Sequence, residues 1–349
     1  FPLGSRFFWL IGAGILLIPF FWTFPSYLFH LAITIGTFAI GVTSLDLLYG
    51  YTGLPSLAQG AFFGVGAYAS ALLAINVGNS LYLSLAGGAL AAGITGVLVG
   101  LVGIRTGRHW TSFTFITTII FTISFTNLDF ITGGPSGLAG VPPLLLNLPF
   151  REGFLFNPFL NKRAYYLLVA VVLFSLVLIK HLTLRSWYGR SVKAIREDEG
   201  LARSVGIPTR RYKVITFGVS AAVAGIGGSL YGHYVTYLHP DLFDFVLSFR
   251  FLMMNRIGGL GSLIGPFLGS GLVNAVEEFT RPINSYLGQL VFSSILIIIL
   301  IYFPGGVVGL SKKILARFLP GHLVETGGGN ETKELSGSED IEDNGDCIE

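Results

Sequence analysis

Cysteine, methionine and charge are all scarce in this 349-residue chain: one Cys, two Met, and 12% Asp, Glu, Lys and Arg together. The lone Cys347 excludes a disulfide framework and any multi-cysteine metal site. Its place in a polar C-terminal segment argues against a buried thiol nucleophile. Soluble domains carry about 25% charged residues, and half that fraction cannot cover a water-facing surface over this length. The deficit excludes an ordinary soluble enzyme, a nucleic-acid binder and a disordered protein. The six histidines contain no H-x-x-x-H pair, so a zinc site has no support in their spacing. Also missing is a phosphate loop: Gly305–Lys312 is Gly-rich but lacks Gly-Lys followed by Ser or Thr. The glycines at Gly133–Gly137 and Gly225–Gly228 lack the strand–helix–strand context of a dinucleotide fingerprint.

What is present is apolar. The AVILMFWYC fraction is 52% and mean hydropathy is +0.70. The 47 glycines suit a membrane, where small residues let helix backbones approach closely. The expected fold is therefore an all-α polytopic membrane protein. Stretches near 20 apolar residues, the length that crosses a bilayer, occur at Phe7–Phe24, Tyr27–Leu48, Leu81–Ile104, Trp110–Phe130, Ala164–His181, Tyr212–Tyr234 and Tyr286–Phe303. Less regular, Gly- or Pro-interrupted segments lie at Leu57–Ile75, Phe245–Gly258 and Ser262–Glu277, which makes about ten transmembrane or re-entrant helices.

Charge orients them. Residues 325–349 hold nine of the 19 acidic residues, leaving the rest of the chain at +11. Lys180–Lys213 carries nine Lys and Arg, so by the positive-inside rule it is cytoplasmic. Ten crossings then place both termini in the cytoplasm as well. The expected organisation is a transmembrane body over residues 1–320, with a cytoplasmic loop at 182–213 and an extracytoplasmic loop at 131–163. An acidic, disordered cytoplasmic tail follows at 321–349.

Two segments echo one another. Gly53-Leu-Pro-Ser56-Leu-Ala-Gln59-Gly60 and Gly259-Leu-Gly261-Ser262-Leu-Ile-Gly265 share Gly-Leu-x-Ser-Leu, followed by Gly. Paired Gly/Pro-interrupted apolar segments in the two halves of a transporter mark broken helices along a pathway. The pathway candidates are therefore Asp46, Gly50, Gly53, Ser56, Gln59, Gly60, Gly259, Gly261, Ser262 and Gly265. Asp46 is the sharpest of them, because an intramembrane acid beside a break suits contact with a substrate ammonium, or gating. Arg256 is expected to pair with Glu277 and Glu278 if the two short segments are antiparallel.

The basic loop carries short helices. Helical spacing groups Val192 with Ile195, and Leu201 with Ala202 and Val205; Gly206 serves as a C-cap and Pro208 as a stop. A basic loop can rest on anionic lipid, but Glu197, Asp198 and Glu199 beside Arg196 and Arg203 favour a protein partner.

The run Gly189-Arg190-Ser-Val-Lys-Ala-Ile-Arg196-Glu197-Asp198-Glu199, with Gly206-Ile207 and Ser220–Tyr231, resembles the permease family of branched-chain amino acid ABC importers, and within it the LivM-type subunits. Further matches lie at Ser44–Leu47, Gly50–Gly53, Thr132–Leu138, Gly258–Ser262 and Phe303–Gly306, so the likeness covers residues 30–310. The resemblance implies half of an importer channel in the inner membrane. Its implied partners are a second related permease, two ABC ATPase subunits and an extracytoplasmic substrate-binding protein. No cofactor is expected on this chain; ATP and Mg would sit on the ATPases. Arg190, Arg196, Glu197, Glu199, Ala202 and Gly206 would form the ATPase-coupling loop, with Leu201-Ala202 and Gly206 resembling the ABC permease coupling motif. Asp46 departs from the Asn usual in that family, and the Trp110–Thr126 span has Thr in place of charge. These departures admit a second solute class, urea or short amides. A different reading, an ion-coupled secondary transporter or channel, would need no ATPase.

Overall fold

The computed structural model describes residues 25–148, 151–156 and 161–280, with isolated helical pieces between 291 and 309. The expected span Phe7–Phe24 and the acidic tail lie outside the described residues, as does Tyr286–Phe303 apart from residues 291, 293, 294 and 297. Helix α1 (Ser26–Leu45) runs into a π-helical turn, Asp46–Gly50. After a non-helical stretch come α2 (Gln59–Asn76), α3 (Leu81–Gly103), α4 (Trp110–Asn127) and a single turn, α5 (Asp129–Thr132). Strands β1 (Leu138–Ala139), β2 (Leu144–Leu148) and β3 (Arg151–Phe156) precede α6 (Lys162–Arg185). The basic loop holds α7 (Trp187–Glu197) and α8 (Glu199–Ser204), and leads into α9 (Thr209–Val235). Strand β4 (Tyr237–Leu238), α10 (Phe245–Gly258) and α11 (Gly265–Thr280) follow. The only sheets among the described residues are two small antiparallel ribbons, β1 with β4 and the β2–β3 hairpin.

Among the described residues, four helices are long and apolar enough to cross a membrane: Ser26–Gly50, Leu81–Gly107, Lys162–Arg185 and Thr209–Val235. A fifth arises if Trp110–Asn127 and Asp129–Ser136, bent by 76°, form one span. Helices α2, α10 and α11 are 18, 14 and 16 residues long. At 1.5 Å per residue, α10 reaches roughly 21 Å, short of the ~30 Å hydrocarbon core. Eight of the ten expected crossings fall on the described residues, where four or five are of spanning length and α2, α10 and α11 are shorter.

The centre of the fold is α9, largely buried against α1, α2 and α3. Helix α3 buries a stripe at every fourth residue, Ser84, Gly88, Ala92, Gly96 and Gly100, and leaves Leu90, Ile94, Leu98 and Val102 uncovered. A Cβ on Gly66 of α2 would lie 2.3 Å from Gly225 Cα on α9, and a Cβ on Gly225 would lie 2.6 Å from Ala92 Cβ and from the Gly88 carbonyl on α3. Three backbones therefore converge at a point that admits no side chain. This is the small-residue packing that holds helices together where lipid removes the hydrophobic drive between them. Toward α10, an aromatic cluster of Phe38, Phe63, Tyr231, Phe243 and Phe251 packs largely edge-to-face or tilted.

Candidate functional site

The two echoing segments form helix breaks of the same design. At the first, Gly53 has φ +72° and its N–H donates to Tyr49 O at 3.2 Å, which closes the preceding helix. At the second, Gly259 has φ +108° and its N–H donates to Asn255 O at 3.1 Å. Positive φ favours glycine at both. Each break then uses its serine at the start of the next short helix. Ser56 Oγ accepts from Ala58 N at 3.2 Å, and Ser262 Oγ accepts from Gly265 N at 2.9 Å while donating to Gly259 O.

The two breaks touch, and charge holds them there. Asp46, on the π turn, and Lys180, near the end of α6, form an ion pair at 2.6 Å with both side chains fully buried. The other carboxylate oxygen of Asp46 accepts from Gly261 N at 2.7 Å. Lys180 Nζ also donates to Ser262 O at 3.3 Å and lies 5.4 Å from the centre of the Tyr51 ring. The Tyr51 hydroxyl donates to Gly261 O at 2.7 Å. Gly261 is thus gripped at both its N–H and its carbonyl by residues of the first break. The wide π turn makes room for this: a Cβ on Gly50 would fall 2.2 Å from Asp46 Oδ1 and 2.7 Å from Gly261 N. A buried ion pair is tolerated where further bonds support it, and here each carboxylate oxygen has a partner and the ammonium donates twice and faces the Tyr51 ring.

The basic loop reaches the same point. Helix α7 buries Val192 and Ile195 beside Tyr51, Ala202 and Tyr212, and extends Arg196 so that its guanidinium donates to Gly50 O. Arg196 Cγ also passes 3.4 Å from where a Gly53 Cβ would be. The adjoining α8 is capped by Asp198, whose carboxylate accepts from Leu201 N at 2.9 Å, and closed by Gly206 at φ +85°. Glu199 bonds Arg203 at 3.2 Å and also Lys213 at the start of α9. Its partial burial opposes ionisation, but the Lys213 ammonium, with Thr209 and Arg203, holds its carboxyl below the usual range.

The family described as the branched-chain amino acid transport system / permease component matches residues 27–303. The high-affinity branched-chain amino acid transport system permease protein LivM of Escherichia coli is 32% identical over 285 residues, 77% of this chain and 67% of that protein. LivM of Salmonella typhimurium is 31% identical with the same coverage. LivH of Salmonella typhimurium, another permease of that system, is 26% identical over 289 residues, 79% of this chain and 93% of LivH. The chain belongs to the branched-chain amino acid permease family. Its resemblance is of the LivM type, and its relatives are transport components rather than catalytic enzymes. No solved structure matches it.

Several residues of this permease stand elsewhere than their sequence suggests. Lys180, which the sequence puts both at the end of the Ala164–His181 span and first among the cytoplasmic charges, is inside α6 with its side chain fully buried. Asp46 has both oxygens taken by the chain itself. Arg256 does not pair with Glu277: Arg250 does, at 3.1 Å, while Arg256 lies over the Tyr49 ring. Leu201, Ala202 and Val205, grouped by helical spacing, differ in exposure. Ala202 is buried, but Leu201 and Val205 are 68% and 71% exposed, because a six-residue helix covers only one side. Gln59 and Gly60 are buried in the structure that anchors α2: Gln59 Nε2 donates to Ser220 Oγ at 2.8 Å, and Gly60 N donates to Ser248 Oγ at 2.9 Å. The threonines of α4 are engaged too. Thr114 accepts from Leu57 N, Thr118 donates to Leu57 O, and Thr117, Thr122 and Thr126 donate to carbonyls of their own helix. Of the remaining loop residues, Arg190 donates to Arg185 O at 3.3 Å and Glu197 is exposed at the end of α7.

Proposed function

We propose that this chain is the membrane-spanning subunit of an ATP-driven importer of branched-chain amino acids, lying in the inner membrane with both termini cytoplasmic. It forms half of the translocation pathway beside a second, related permease. Two ABC ATPases carry ATP and Mg and dock on the 182–213 loop, and an extracytoplasmic binding protein delivers solute. The observation that supports this reading most directly is the contact between Arg196 of the loop and Gly50 at the meeting of the two breaks. It gives a force applied to the loop a path into the transmembrane helices. Leu201 and Val205, exposed on one side of α8 beside Arg203, are an apolar patch with a charged rim, the anatomy of a protein-docking surface. The engaged α4 hydroxyls offer little to urea or a short amide, and the amino-acid reading is preferred.

The test is reconstitution in liposomes. The assembly of this chain, the second permease and both ATPases, with binding protein outside, should accumulate leucine only when ATP is supplied. Replacing Leu201 and Val205 together by Asp should release the ATPases on purification. Leucine uptake by this chain alone, driven by an ion gradient, would sink the proposal in favour of a secondary transporter.

A further inference from the structure

Two cations grip the meeting point of the breaks, and both come from one arm. Lys180 sits near the end of α6 and Arg196 near the end of α7, on either side of the corner at Ser186. Lys180 binds Asp46 and Ser262 O; Arg196 binds Gly50 O, and its Nη1 lies 3.3 Å from where a Gly261 Cβ would be. A displacement of the arm therefore pulls on both breaks at once.

The two grips differ in what it takes to open them. Lys180 and Asp46 are fully buried, so separating them leaves two charges without water. Arg196 belongs to an exposed position and only its tip reaches the carbonyl, so on release the guanidinium returns to solvent. Gly50 O would then lose that donor and Gly261 the guanidinium packed beside it, leaving the second break held by Asp46, Lys180 and Tyr51 alone and looser than before. We infer that the α6–α7 arm is a two-point latch, in which Asp46–Lys180 is a fixed pivot and Arg196 is the clasp that opens and closes with the loop. Arg196 is thus a positioning residue, coupling the loop to the helix breaks. The inference rests on the importer reading for its energy source, but not for its geometry.

Two measurements separate them. In the reconstituted importer, Arg196→Gln should lower thermal stability much less than Lys180→Met does, lower leucine transported per ATP at least tenfold in assemblies that retain the ATPases, and be partly restored by Arg196→Lys, which keeps a donor on a long stem. Transport per ATP within twofold of wild type overturns the clasp. So does a loss of thermal stability matching that of Lys180→Met without rescue by Lys, because that is a merely structural role. The second measurement uses the purified permease without ATPases. With Cys347→Ser removing the native thiol, Leu260→Cys in the second break reports its exposure through the rate of maleimide labelling. Arg196→Gln should raise that rate at least fivefold and Lys193→Gln, on the same helix, should not. Equal rates in all three backgrounds overturn the latch whether or not the importer reading holds. Failure of ATP to drive uptake in the wild-type assembly, with the labelling difference present, removes the importer reading and leaves the latch standing.

Discussion

The break at Tyr51–Ala58 is anchored by neutral groups. Thr114 and Thr118 of α4 hold the N–H and carbonyl of Leu57, and Gln59 is fixed by Ser44 and Ser220. The break at Gly259–Ile264 makes its long-range contacts through charge and a phenol: Asp46 on Gly261 N, Lys180 on Ser262 O, and Tyr51 on Gly261 O. Both have a positive-φ glycine and a serine at the next helix, so local geometry does not distinguish them. What distinguishes them is how they respond to a moving charge. Neutral hydrogen bonds between packed helices are indifferent to a cation arriving or leaving several ångströms away. The meeting point of the two breaks, where a buried carboxylate and two cations converge on Gly50, Gly261 and Ser262, is sensitive to it, and one of those cations belongs to Arg196, an exposed residue.

The comparison breaks most severely if the pivot is removed. Lys180→Met leaves Asp46 buried with Gly261 N as its remaining bonded partner. Removing one member of a buried pair costs ~3–5 kcal/mol, and the drop should appear as a lower midpoint of thermal unfolding in detergent. Asp46→Leu with Lys180→Met removes both charges and should recover most of the loss, since an apolar replacement of a whole buried pair is often neutral or stabilising. A double variant no better than the single would mean that shape, not charge, holds the second break.

The first break should respond more mildly. Thr118→Val keeps the shape of the side chain and removes the donor to Leu57 O. An unsatisfied backbone carbonyl in a part-buried site costs ~1–3 kcal/mol. The same unfolding measurement applies, with no change in the maleimide labelling of the Leu260→Cys reporter. Labelling that rose as much as in Arg196→Gln would show that the two breaks are one mechanical unit.

Smaller still is the effect of the shared serines. Ser56→Ala and Ser262→Ala each remove an oxygen that accepts an N–H at a helix start. Such losses run ~0.5–2 kcal/mol, and the two variants should agree with each other. A much larger loss at Ser262 would mean that its hydroxyl contact with Gly259 O supports the charged junction as well.

Much of this junction is legible in the sequence, and the part that is not has a physical reason. The paired Gly-Leu-x-Ser-Leu segments announce themselves because a helix break demands glycine and a hydroxyl at fixed spacing, and that demand is local. Asp46 stands out because an acid in an apolar run needs a partner. Its partner does not stand out: Lys180 is 134 positions away and adjoins Arg185 and the other loop cations, so it reads as the edge of a basic segment. The available signal was helical length. Lys162–Arg185 is one continuous helix, and Lys180 falls inside its last turns rather than beyond them. Arg250 rather than Arg256 pairing with Glu277 is likewise set by the phase of one helix against another, which spacing along each does not reveal. The exposure of Leu201 and Val205 escaped for a further reason. Helical periodicity says which residues share a side, but not which side faces the protein.

The weakest expected effect tests whether the loop's own ion pairs belong to the switch or only to its frame. Glu199 fastens α8 to Lys213 at the head of α9, and is itself about two-fifths exposed. Its carboxyl is held below its ordinary value of 4.5. A depressed carboxylate stabilises the fold at pH values above the unfolded value and ceases to do so as pH falls through the lower, folded value. Wild type should therefore exceed Glu199→Gln slightly in unfolding midpoint at pH 7, and the gap should close on acidification below about pH 4.5. Solvent screening at so exposed a site keeps the gap small. Labelling of the Leu260→Cys reporter at pH 7 should be alike with and without Glu199→Gln, because Glu199 contacts neither break. If Glu199→Gln instead opened the second break as Arg196→Gln is expected to, the loop would have to be treated as a single rigid lever, with its internal ion pairs as much a part of the clasp as the arginine at its tip.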